Sequence, residues 1–525
     1  MTTIANPVLP GCYPDPSVCR VGEWFYLVSS TFEYLPGLPV MRSRDLANWE
    51  TIGHVIDRPG MLDLDGIGSS GGLYAATIRF HAGRFWVVCT LVAREGDAVG
   101  APRGNFLVTA ADASGPWSDP VWLDADGIDP SIAFDEEGRV WLHGTRLAPE
   151  AEAEWFHQTQ VWVREYSPSQ QRLIGDEHIV WTGAVRGAVW AEGPHLQLID
   201  GTWYLLAAEG GTEFHHAVSI ARSTSPTGPF EGNRANPILT HRHLGRGVDV
   251  IGPGHADLVQ AADGSWWALL LAMRAPDGRH YPLGRETFVL PVTWEDGWPV
   301  FAPGEGCVPA TVALPWDVTP APAGTWQPDA RAAGAIEPGD VRWTTPRALP
   351  AEVARADAGG WVLPVSRATL ADTSTSTFVG VRQQHFDVDA FAALDLADLA
   401  EGETAGFAIR QSERDHATVG FTRTREGFRL AVTQRRAGAD EVLHESIVDP
   451  GSVGSVGVRA RGYAYVLTHE DVRGEAHPLA EISARELDAV ATGGFLGVWF
   501  GVYATSHGAE PRGAARATRF TYLPV

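Results

Sequence analysis

Three carboxylates in the N-terminal half of the chain stand in similar sequence contexts. Asp15 lies in YPDPS and Asp129 in IDPS, and Glu192 lies in AEGPH. A single Asp-Pro or Glu-Gly pair is an ordinary turn, but three such pairs at corresponding places favour a functional site. Cleavage of a glycosidic bond needs one carboxylic acid to protonate the leaving oxygen and one carboxylate to activate water. A third carboxylate beside the acid would raise the acid's pKa by charge repulsion and keep it protonated.

The spacing of these residues follows a repeat. Asp129 and Glu192 each lie nine residues before a glycine that opens an aromatic-rich segment, and Asp15 lies seven residues before another. Tyr74 and His255 also lie nine residues before such a glycine. The repeat therefore singles out three carboxylates, one aromatic ring and one imidazole as equivalent positions.

Five such segments recur at intervals of about 60 residues, and each reads as the second strand of a β-hairpin. Glycine in a turn before an apolar, aromatic run is a strong hairpin signal. Radial repetition of small sheets protects strand edges, so the chain is predicted to be all-β and to begin with a five-bladed β-propeller. The segments are GEWFYLVSS, GRFWVVCTL, GRVWLHGTR, GTWYLLAAE and GSWWALLLA, from Gly22, Gly83, Gly138, Gly201 and Gly264.

This architecture brings the repeated positions together. The innermost strand of each blade runs along the central channel just before the hairpin, so the five residues should converge near the axis. Burying carboxylates together is costly, and clusters of this kind mark functional sites.

The composition changes after the repeats. Residues 1–308 are predicted to form the catalytic propeller, and residues 309–350 form a linker rich in Pro and Ala. Short alternating strands then fill residues 351–525, which predicts a β-sandwich of the jelly-roll, lectin-like kind.

Charge and composition exclude several classes of protein. The chain has 525 residues and a net charge of −24, and all 40 basic residues are Arg. Such an acidic surface argues against nucleic acid or a membrane as partner. No apolar stretch is long enough for a bilayer, and the N-terminus lacks a signal pattern, so a cytoplasmic location is expected. The four cysteines are too few for a disulfide framework.

The chain resembles the two-domain β-xylosidases of glycoside hydrolase family 43. The resemblance covers most of the first 300 residues and resumes in the tail. It rests on NPVLPGCYPDPS, YLVSSTFEYLPGLPV, RDLANWE, GNFLVTA, GIDPSIAFDEEGRVWLHGTR, AEGPHL, YLLAAEGGTEFHHAV, GHADLV, LGRETFVLPVTWEDGWPVF, FVGVRQQHF and AGFAIRQ.

The resemblance implies an inverting glycosidase with assigned residues. Asp15 would be the general base, Glu192 the general acid, and Asp129 the carboxylate that tunes and orients Glu192. Arg285 in LGRETF would bind sugar hydroxyls, and Phe32 in STFE would form an aromatic wall. The alternatives for these last two residues are a structural ion pair and a core side chain.

Three further positions depend on the same resemblance. Tyr74 in LYAATIR stands where the family usually has Trp, which leaves sugar specificity open. Trp499, with Phe500 beside it, is our candidate for the aromatic residue by which the tail closes the pocket. His255 would orient the carboxylates or, in some members, neighbour a calcium ion. No cofactor is expected to be required.

The leading hypothesis is an exo-β-1,4-xylosidase that removes xylose from the non-reducing ends of xylo-oligosaccharides. The alternative is an α-L-arabinofuranosidase, or an enzyme with both activities. A retaining enzyme related to invertases would need an Asn-Asp-Pro-Asn motif, which YPDPS replaces. A non-catalytic carbohydrate-binding protein would not need an acid and a base. Family members of this kind often assemble, so a homo-oligomer is expected.

Overall fold

A computed structural model describes residues 2–94, 96–97, 102–318, 334–357 and 360–525. The described chain is all-β, as predicted. Its helices are short turns, and none of them could span a bilayer. These are α1 (Pro350–Val353), α2 (Ala489–Thr492) and 3-10 turns at Pro450–Ser452 and Ala484–Glu486.

Five antiparallel sheets of four or five strands follow one another over residues 17–301. The strand β1 (Thr2–Ala5) precedes them. The first sheet contains β2 (Ser17–Val21), β3 (Trp24–Val28), β5 (Gly37–Ser43) and β6 (Glu50–Ile56), and β4 (Tyr34–Leu35) lies between β3 and β5 in the chain. The second sheet contains β7 (Gly72–Leu73), β8 (Thr77–His81), β9 (Arg84–Val92), β10 (Gly104–Ala110) and β11 (Val121–Trp122).

The remaining three sheets repeat this plan. The third contains β12 (Ile128–Phe134), β13 (Val140–Leu147), β14 (Thr159–Ser167) and β15 (Arg172–Trp181). The fourth contains β16 (Glu192–Ile199), β17 (Thr202–Glu209), β18 (Ala217–Ser223), β19 (Glu231–Gly232) and β20 (Leu239–Thr240). The fifth contains β21 (Val250–Gln260), β22 (Trp266–Arg274), β23 (Glu286–Glu295) and β24 (Trp298–Phe301).

The five repeated glycines lie in tight turns, as the sequence predicts. Each follows the strand of its sheet that we call the inner strand, namely β2, β8, β12, β16 or β21. All five have φ between +62° and +87°, a region that glycine enters without steric cost. The turn chemistry therefore sets the hairpin that begins each sheet.

The inner strands form a closed ring. β2 contacts β8, β8 contacts β12, β12 contacts β16, β16 contacts β21, and β21 contacts β2. The strand β1 also pairs with β25 (Thr311–Leu314), which follows the fifth sheet. We call residues 17–301 the sheet ring, and its inner strands surround the place where the predicted site residues should meet.

A partly buried ion pair joins the inner strands. Asp257 on β21 accepts hydrogen bonds from Arg79 on β8 at 2.7 and 3.0 Å, from the Ser17 hydroxyl at 2.9 Å and from Gln197 at 2.8 Å. The side chain of Asp257 is fully buried. Arg79 also contacts His195 Nδ1 at 3.3 Å. This cluster is called the axial network below, and it links four of the five sheets.

The C-terminal part consists of two sheets whose inner faces share one hydrophobic core. One contains β26 (Gly334–Ala335), β28 (Arg355–Asp357), β29 (Gly360–Pro364), β31 (Val388–Asp395), β36 (Ser455–Arg461), β37 (Ala464–Glu470), β38 (Ala476–Ser483) and β40 (Ala514–Pro524). The other, called the six-stranded sheet, has the order β30 (Thr377–Arg382), β39 (Trp499–Thr505), β32 (Thr404–Arg410), β33 (His416–Arg423), β34 (Phe428–Arg436) and β35 (Ala439–Val448).

The stretch predicted as a linker, residues 309–350, is partly structured. Residues 319–333 lie outside the described residues. On either side, β25 pairs with β1, and β27 (Thr345–Pro346) pairs with β4 of the sheet ring. The later end is therefore attached to the ring by strand pairing, and the earlier end packs on it through Val312 and Leu314, which share a hydrophobic cluster with Leu27.

Buried polar side chains form part of the contact between the sandwich and the sheet ring. Arg410 of β32 is 1 % exposed, and it contacts the buried Glu33 carboxylate at 3.3 Å and the Tyr34 hydroxyl at 2.6 Å. Ser69 donates a hydrogen bond to the same carboxylate at 2.8 Å. Separating the two parts would leave the charges of Arg410 and Glu33 without partners, which is costly. This ion pair therefore holds the sandwich and the sheet ring in one relative position.

Candidate active site

A pocket opens at the end of the sheet ring where the inner strands begin. Seven of the eight predicted site residues line it, together with one side chain from the sandwich. The lining residues are Asp15, Phe32, Tyr74, Ala75, Ile128, Asp129, Glu192, Thr212, His255, Arg285 and Phe495.

The backbone explains why these side chains converge. Asp15, Asp129 and His255 have φ of 53°, 53° and 49°, a left-handed conformation that is uncommon for residues with a Cβ. In the fourth sheet the residue with this conformation is Gly193, at φ 55°, so Glu192 stands one position earlier. The strand pairing of β12 and of β16 is interrupted at this place, as in a β-bulge. The equivalence predicted from spacing is therefore offset by one residue at Glu192.

Gly193 is required by its neighbours. A Cβ on this residue would lie 2.7 Å from the ring of His255. Its N–H donates a hydrogen bond to Asp129 Oδ2 at 3.0 Å. The glycine after Glu192 thus lets the backbone approach β12 and β21, and its N–H fixes the direction of the Asp129 carboxylate.

Asp15 is held in its ionised form. Its Oδ1 accepts a hydrogen bond from Arg285 at 3.0 Å and lies 3.6 Å from His255 Nδ1, and its Oδ2 accepts one from Ser30 at 2.6 Å. Burial raises the pKa of Asp15, but Arg285, His255 and the Ser30 hydroxyl outweigh burial, and the net pKa is below the usual value. Asp15 is therefore suited to accept a proton from water.

Glu192 has the opposite electrostatic environment. Burial raises its pKa well above 4.5, and the nearby charges of Asp129 and Asp15 raise it further. Burial also raises the pKa of Asp129 to about 6, although His255 and the Gly193 N–H oppose this shift. The pocket thus combines a carboxylate that loses its proton readily with a carboxylic acid that retains one.

Arg285 connects the charged and aromatic parts of the pocket. It donates hydrogen bonds to Asp15 and, at 3.1 Å, to the Thr212 hydroxyl. Its guanidinium lies 5.5 Å from the ring centre of Phe32 and 5.2 Å from that of Phe495. Its Nε is buried and has no hydrogen-bond partner among the described residues. Arg285 therefore lies between the Asp15 carboxylate and the aromatic rings of the pocket.

The other wall of the pocket is aromatic. Phe32 lies 5.6 Å from Tyr74, edge to face, and 5.9 Å from Phe495 in a stacked arrangement. Ser70 fixes two of these rings, because its carbonyl accepts a hydrogen bond from the Tyr74 hydroxyl and its Oγ accepts one from the Phe495 N–H. Aromatic faces of this kind pack against the apolar faces of sugar rings.

Trp499 is not in the pocket, so our prediction for the aromatic residue of the tail is wrong. Its ring is 1 % exposed and stacks on Tyr34 at 4.1 Å, and its Nε1 donates a hydrogen bond to Thr344. Phe500 lies in the core of the sandwich. The side chain that reaches the pocket is Phe495, which lies in the turn before β39 and stacks on Phe32.

Sequence reasoning also missed two polar residues. Ser30 and Thr212 each contact a charged member of the site through a hydroxyl group. Both lie in segments that support the family resemblance, YLVSSTFEYLPGLPV and YLLAAEGGTEFHHAV. That was the only signal in the sequence that could have selected them.

The residues around His255 do not fit a directly bound calcium ion, which prefers six to eight oxygen ligands. The nearest carboxylate oxygen to His255, on Asp15, already accepts the Arg285 hydrogen bond, and the ring of His195 lies 5.8 Å away. Among the described residues, the metal-compatible cluster is Asp471, Glu475 and His477, on the sandwich.

Comparison with known proteins divides the chain into two parts. Residues 4–299 match the family described as Glycosyl hydrolases family 43, and residues 339–523 match the Beta xylosidase C-terminal Concanavalin A-like domain. The first match supports a β-propeller for the sheet ring, and the second supports the predicted sandwich.

Individual relatives are similar over almost their whole length. A xylosidase/arabinosidase from Butyrivibrio fibrisolvens is 35 % identical over 97 % of both chains. A non-reducing end alpha-L-arabinofuranosidase from Bacteroides ovatus is also 35 % identical, over 96 % of this chain and 92 % of its own. The structure of xylan beta-1,4-xylosidase from Bacillus halodurans covers 99 % of this chain and 100 % of its own with a TM-score of 0.89, at 29 % identity.

The converging carboxylates, the matched ranges and these full-length relatives agree on one assignment. The chain belongs to glycosyl hydrolase family 43.

Proposed function

We propose that this chain is an inverting exo-glycosidase that releases xylose from the non-reducing ends of β-1,4-xylo-oligosaccharides. Asp15 is the general base and Glu192 the general acid. The observation that carries the proposal is that both residues line one pocket in which Arg285 is hydrogen-bonded to Asp15, and the pKa shifts of Asp15 and Glu192 accordingly have opposite directions. An acid and a base with separated pKa values are what this reaction needs at neutral pH.

The reaction proceeds in one displacement. Asp15 removes a proton from a water molecule, whose oxygen forms a bond to the anomeric carbon. As the glycosidic bond breaks, Glu192 gives its proton to the leaving oxygen. Water attacks from the side opposite the leaving group, so the configuration at the anomeric carbon inverts. Afterwards Asp15 holds a proton and Glu192 is ionised, and exchange with solvent restores both.

Asp129 and Arg285 adjust this pair from opposite sides. The charge of Asp129 raises the pKa of Glu192, and Arg285 lowers the pKa of Asp15. Arg285 also retains an unpartnered Nε, which we assign to a sugar hydroxyl. Removal of either side chain should therefore affect the protonation states as well as binding.

The aromatic wall supports action at chain ends. Phe32 and Tyr74 come from the sheet ring, and Phe495 comes from the sandwich, so the two parts enclose one side of the pocket between them. A pocket closed in this way accepts a terminal sugar and excludes the interior of a chain. We propose that the sandwich has this role in catalysis.

Arabinofuranosidase activity is the second candidate. Two of the most similar full-length relatives carry arabinosidase in their names, alone or beside xylosidase. Tyr74, in place of a larger indole ring, changes the wall that contacts the sugar. We therefore propose that xylosidase activity dominates and that some arabinofuranosidase activity accompanies it.

The same proposal includes the finer architecture. The five sheets of the ring are five propeller blades, and the domain limits are 1–308, 309–350 and 351–525. The enzyme needs no cofactor. A cytoplasmic location and a homo-oligomeric state stay predictions.

The first prediction concerns the leaving group. Glu192→Gln should lower kcat on xylobiose by about 10²–10⁴-fold, because the leaving oxygen then lacks a proton donor. The loss should be much smaller on 2,4-dinitrophenyl β-D-xyloside, whose leaving group departs unprotonated. Asp15→Asn should be impaired on both substrates. Glu213→Gln, an exposed residue beside Thr212, is the matched control and should keep its activity. Equal losses for Glu192→Gln on both substrates would contradict the assignment.

The second prediction concerns stability and pH. The folded-state pKa of Glu192 is raised, so the unfolded chain releases this proton first, and stability is lost as the pH rises above 4.5. Glu192→Gln removes that loss. The Tm of the variant minus that of the wild type should therefore be more positive at pH 8 than at pH 4.

The control for this experiment is Glu426→Gln, which changes an exposed residue of the sandwich. Its Tm difference should be small at both pH values. A Tm difference for Glu192→Gln that is the same at pH 4 and pH 8 would show that the acid is not held in its neutral form.

The third prediction separates the two sugars. Turnover of 4-nitrophenyl β-D-xylopyranoside should exceed that of 4-nitrophenyl α-L-arabinofuranoside when both are measured side by side, and EDTA should change neither rate. Dominant hydrolysis of the arabinofuranoside would replace the leading proposal with the second candidate. Loss of activity in EDTA would contradict the metal-free site.

A further inference from the structure

A groove of about 190 Å³ crosses the six-stranded sheet of the sandwich, away from the catalytic pocket. Inner-face residues of β33 and β34, such as Val419 and Leu430, belong to the core, and side chains alternate along a strand. The groove therefore lies on the opposite face of the sheet. Its lining is Thr369, Leu370, Ala371, Thr404, His416, Thr418, Gly420, Thr422, Arg429, Ala431, Thr433, Arg435, Asp440, Tyr503, Thr505 and His507.

Small residues form the floor of the groove. Gly420 of β33 pairs with Ala431 of β34, so two adjacent strands have almost no side chain there. A Cβ on Gly420 would lie 2.4 Å from the Tyr503 hydroxyl. The depth of the groove therefore depends on these two positions, and Tyr503 and Leu370 supply its apolar surface.

Besides its paired charges, the groove contains uncharged hydrogen-bond donors and acceptors. His416 Nδ1 lies 3.0 Å from the Ser412 carbonyl, which can only accept, so Nδ1 carries the proton. Burial lowers the pKa of His416 to about 4, which leaves the ring neutral at pH 7. Its Nε2 is then an acceptor, and the structure gives it no partner in the described part of the chain. Burial raises the pKa of Tyr503 to about 12, so its hydroxyl keeps its proton.

The two cations of the groove are already paired. Arg435 contacts Asp440 at 2.7 Å, and Arg429 contacts Glu445 at 3.4 Å. The groove is therefore close to neutral, within a chain whose net charge is −24. Neutral donors and acceptors beside an apolar surface suit a ligand with many hydroxyl groups better than an anion.

Threonine hydroxyls line the groove on four neighbouring strands, β39, β32, β33 and β34. Thr404 Oγ1 lies 2.8 Å from Thr422 Oγ1 and 2.8 Å from His507 Nε2. Thr418 and Thr433 face each other on β33 and β34. Rows of hydroxyls on adjacent strands can exchange hydrogen bonds with successive sugar units.

We propose that this groove binds a neutral saccharide chain, separately from the catalytic pocket. The identity of the sugar rests on the proposed function: a chain rich in xylose, held at internal units. The pocket takes a chain end, whereas the groove lies along an open sheet face. The groove would therefore hold the polymer or oligomer near the site that trims it.

The test is native gel electrophoresis through gels that contain soluble neutral arabinoxylan, with Glu192→Gln enzyme so that nothing is hydrolysed. The arabinofuranosyl branches of this polymer are terminal sugars that the catalytic pocket can also bind, so the groove is credited only with the retardation that persists when Arg285→Ala alters that pocket. Ala431→Trp in the same background fills the floor beside Gly420 and should weaken binding at least about tenfold, or about 1.4 kcal/mol. Val472→Trp is the matched control, because Val472 is 64 % exposed and lies away from the groove, after β37.

Two controls keep the result interpretable. Ala431→Trp in otherwise unchanged enzyme should keep its kcat on 4-nitrophenyl β-D-xylopyranoside, which shows that it folds. If it does not fold, Thr433→Arg obstructs the groove from the same strand. Arg285→Ala in the Glu192→Gln background should keep its retardation, because it alters only the catalytic pocket.

Several results would overturn the proposal. These are no retardation of Glu192→Gln enzyme, equal retardation of Ala431→Trp and Val472→Trp, loss of retardation in Arg285→Ala, or retardation by polygalacturonate alone. Retardation without any glycosidase activity in the wild type would overturn the proposed function and leave the groove. Glycosidase activity of the wild type without retardation of the Glu192→Gln enzyme would overturn the groove proposal and leave the proposed function.

Discussion

The ion pair between the buried Asp257 and the partly buried Arg79 is the interaction on which the rest of the site depends. Asp257 follows His255 by two residues, and its partner Ser17 follows Asp15 by two residues. His195, which contacts Arg79, follows Glu192 by three. The axial network therefore forms a layer directly beyond the catalytic layer on the same inner strands. Burial raises the pKa of Asp257, but Arg79 and His195 outweigh it and bring the net value to about 2, so the carboxylate stays charged. Removing one partner of a buried pair costs about 3–5 kcal/mol, and here it would also release the strands that aim the carboxylates.

Above this layer, the buried carboxylates Asp15 and Asp129 and the half-buried Glu192 lie in one pocket with the guanidinium of Arg285. Arg285 contacts Asp15 directly, so Asp15 is the group that ionises. Glu192 receives only a weaker effect from Arg285 and is repelled by the other two, so it retains its proton. The division into base and acid thus follows from where one positive charge is placed. The aromatic rings around Arg285 strengthen this effect, because they exclude water that would otherwise screen the charges.

The sequence predicts the repeat and the hairpins, and seven of its eight candidate residues line the pocket, because turn glycines and Asp-Pro-Ser pieces act locally. The remainder depends on contacts between distant segments. Phe495 reaches the pocket only because Arg410 and Glu33 fix the sandwich against the sheet ring. The residues next to Phe495 in the sequence contain no signal of this long-range contact. The sequence favours Trp499, yet its ring packs on Tyr34 instead. The one-residue offset at Glu192 was likewise hidden, because φ at Gly193 cannot be read from spacing.

The central claim is that Asp15 activates water while Glu192 protonates the leaving oxygen in a single displacement. The most direct test follows the anomeric configuration of the first product by proton NMR, with a β-xyloside as substrate. Our account predicts that α-xylose appears first and that the β-anomer accumulates only as the sugar mutarotates. Initial formation of β-xylose would require a covalent intermediate on one of the carboxylates and would contradict the assignment.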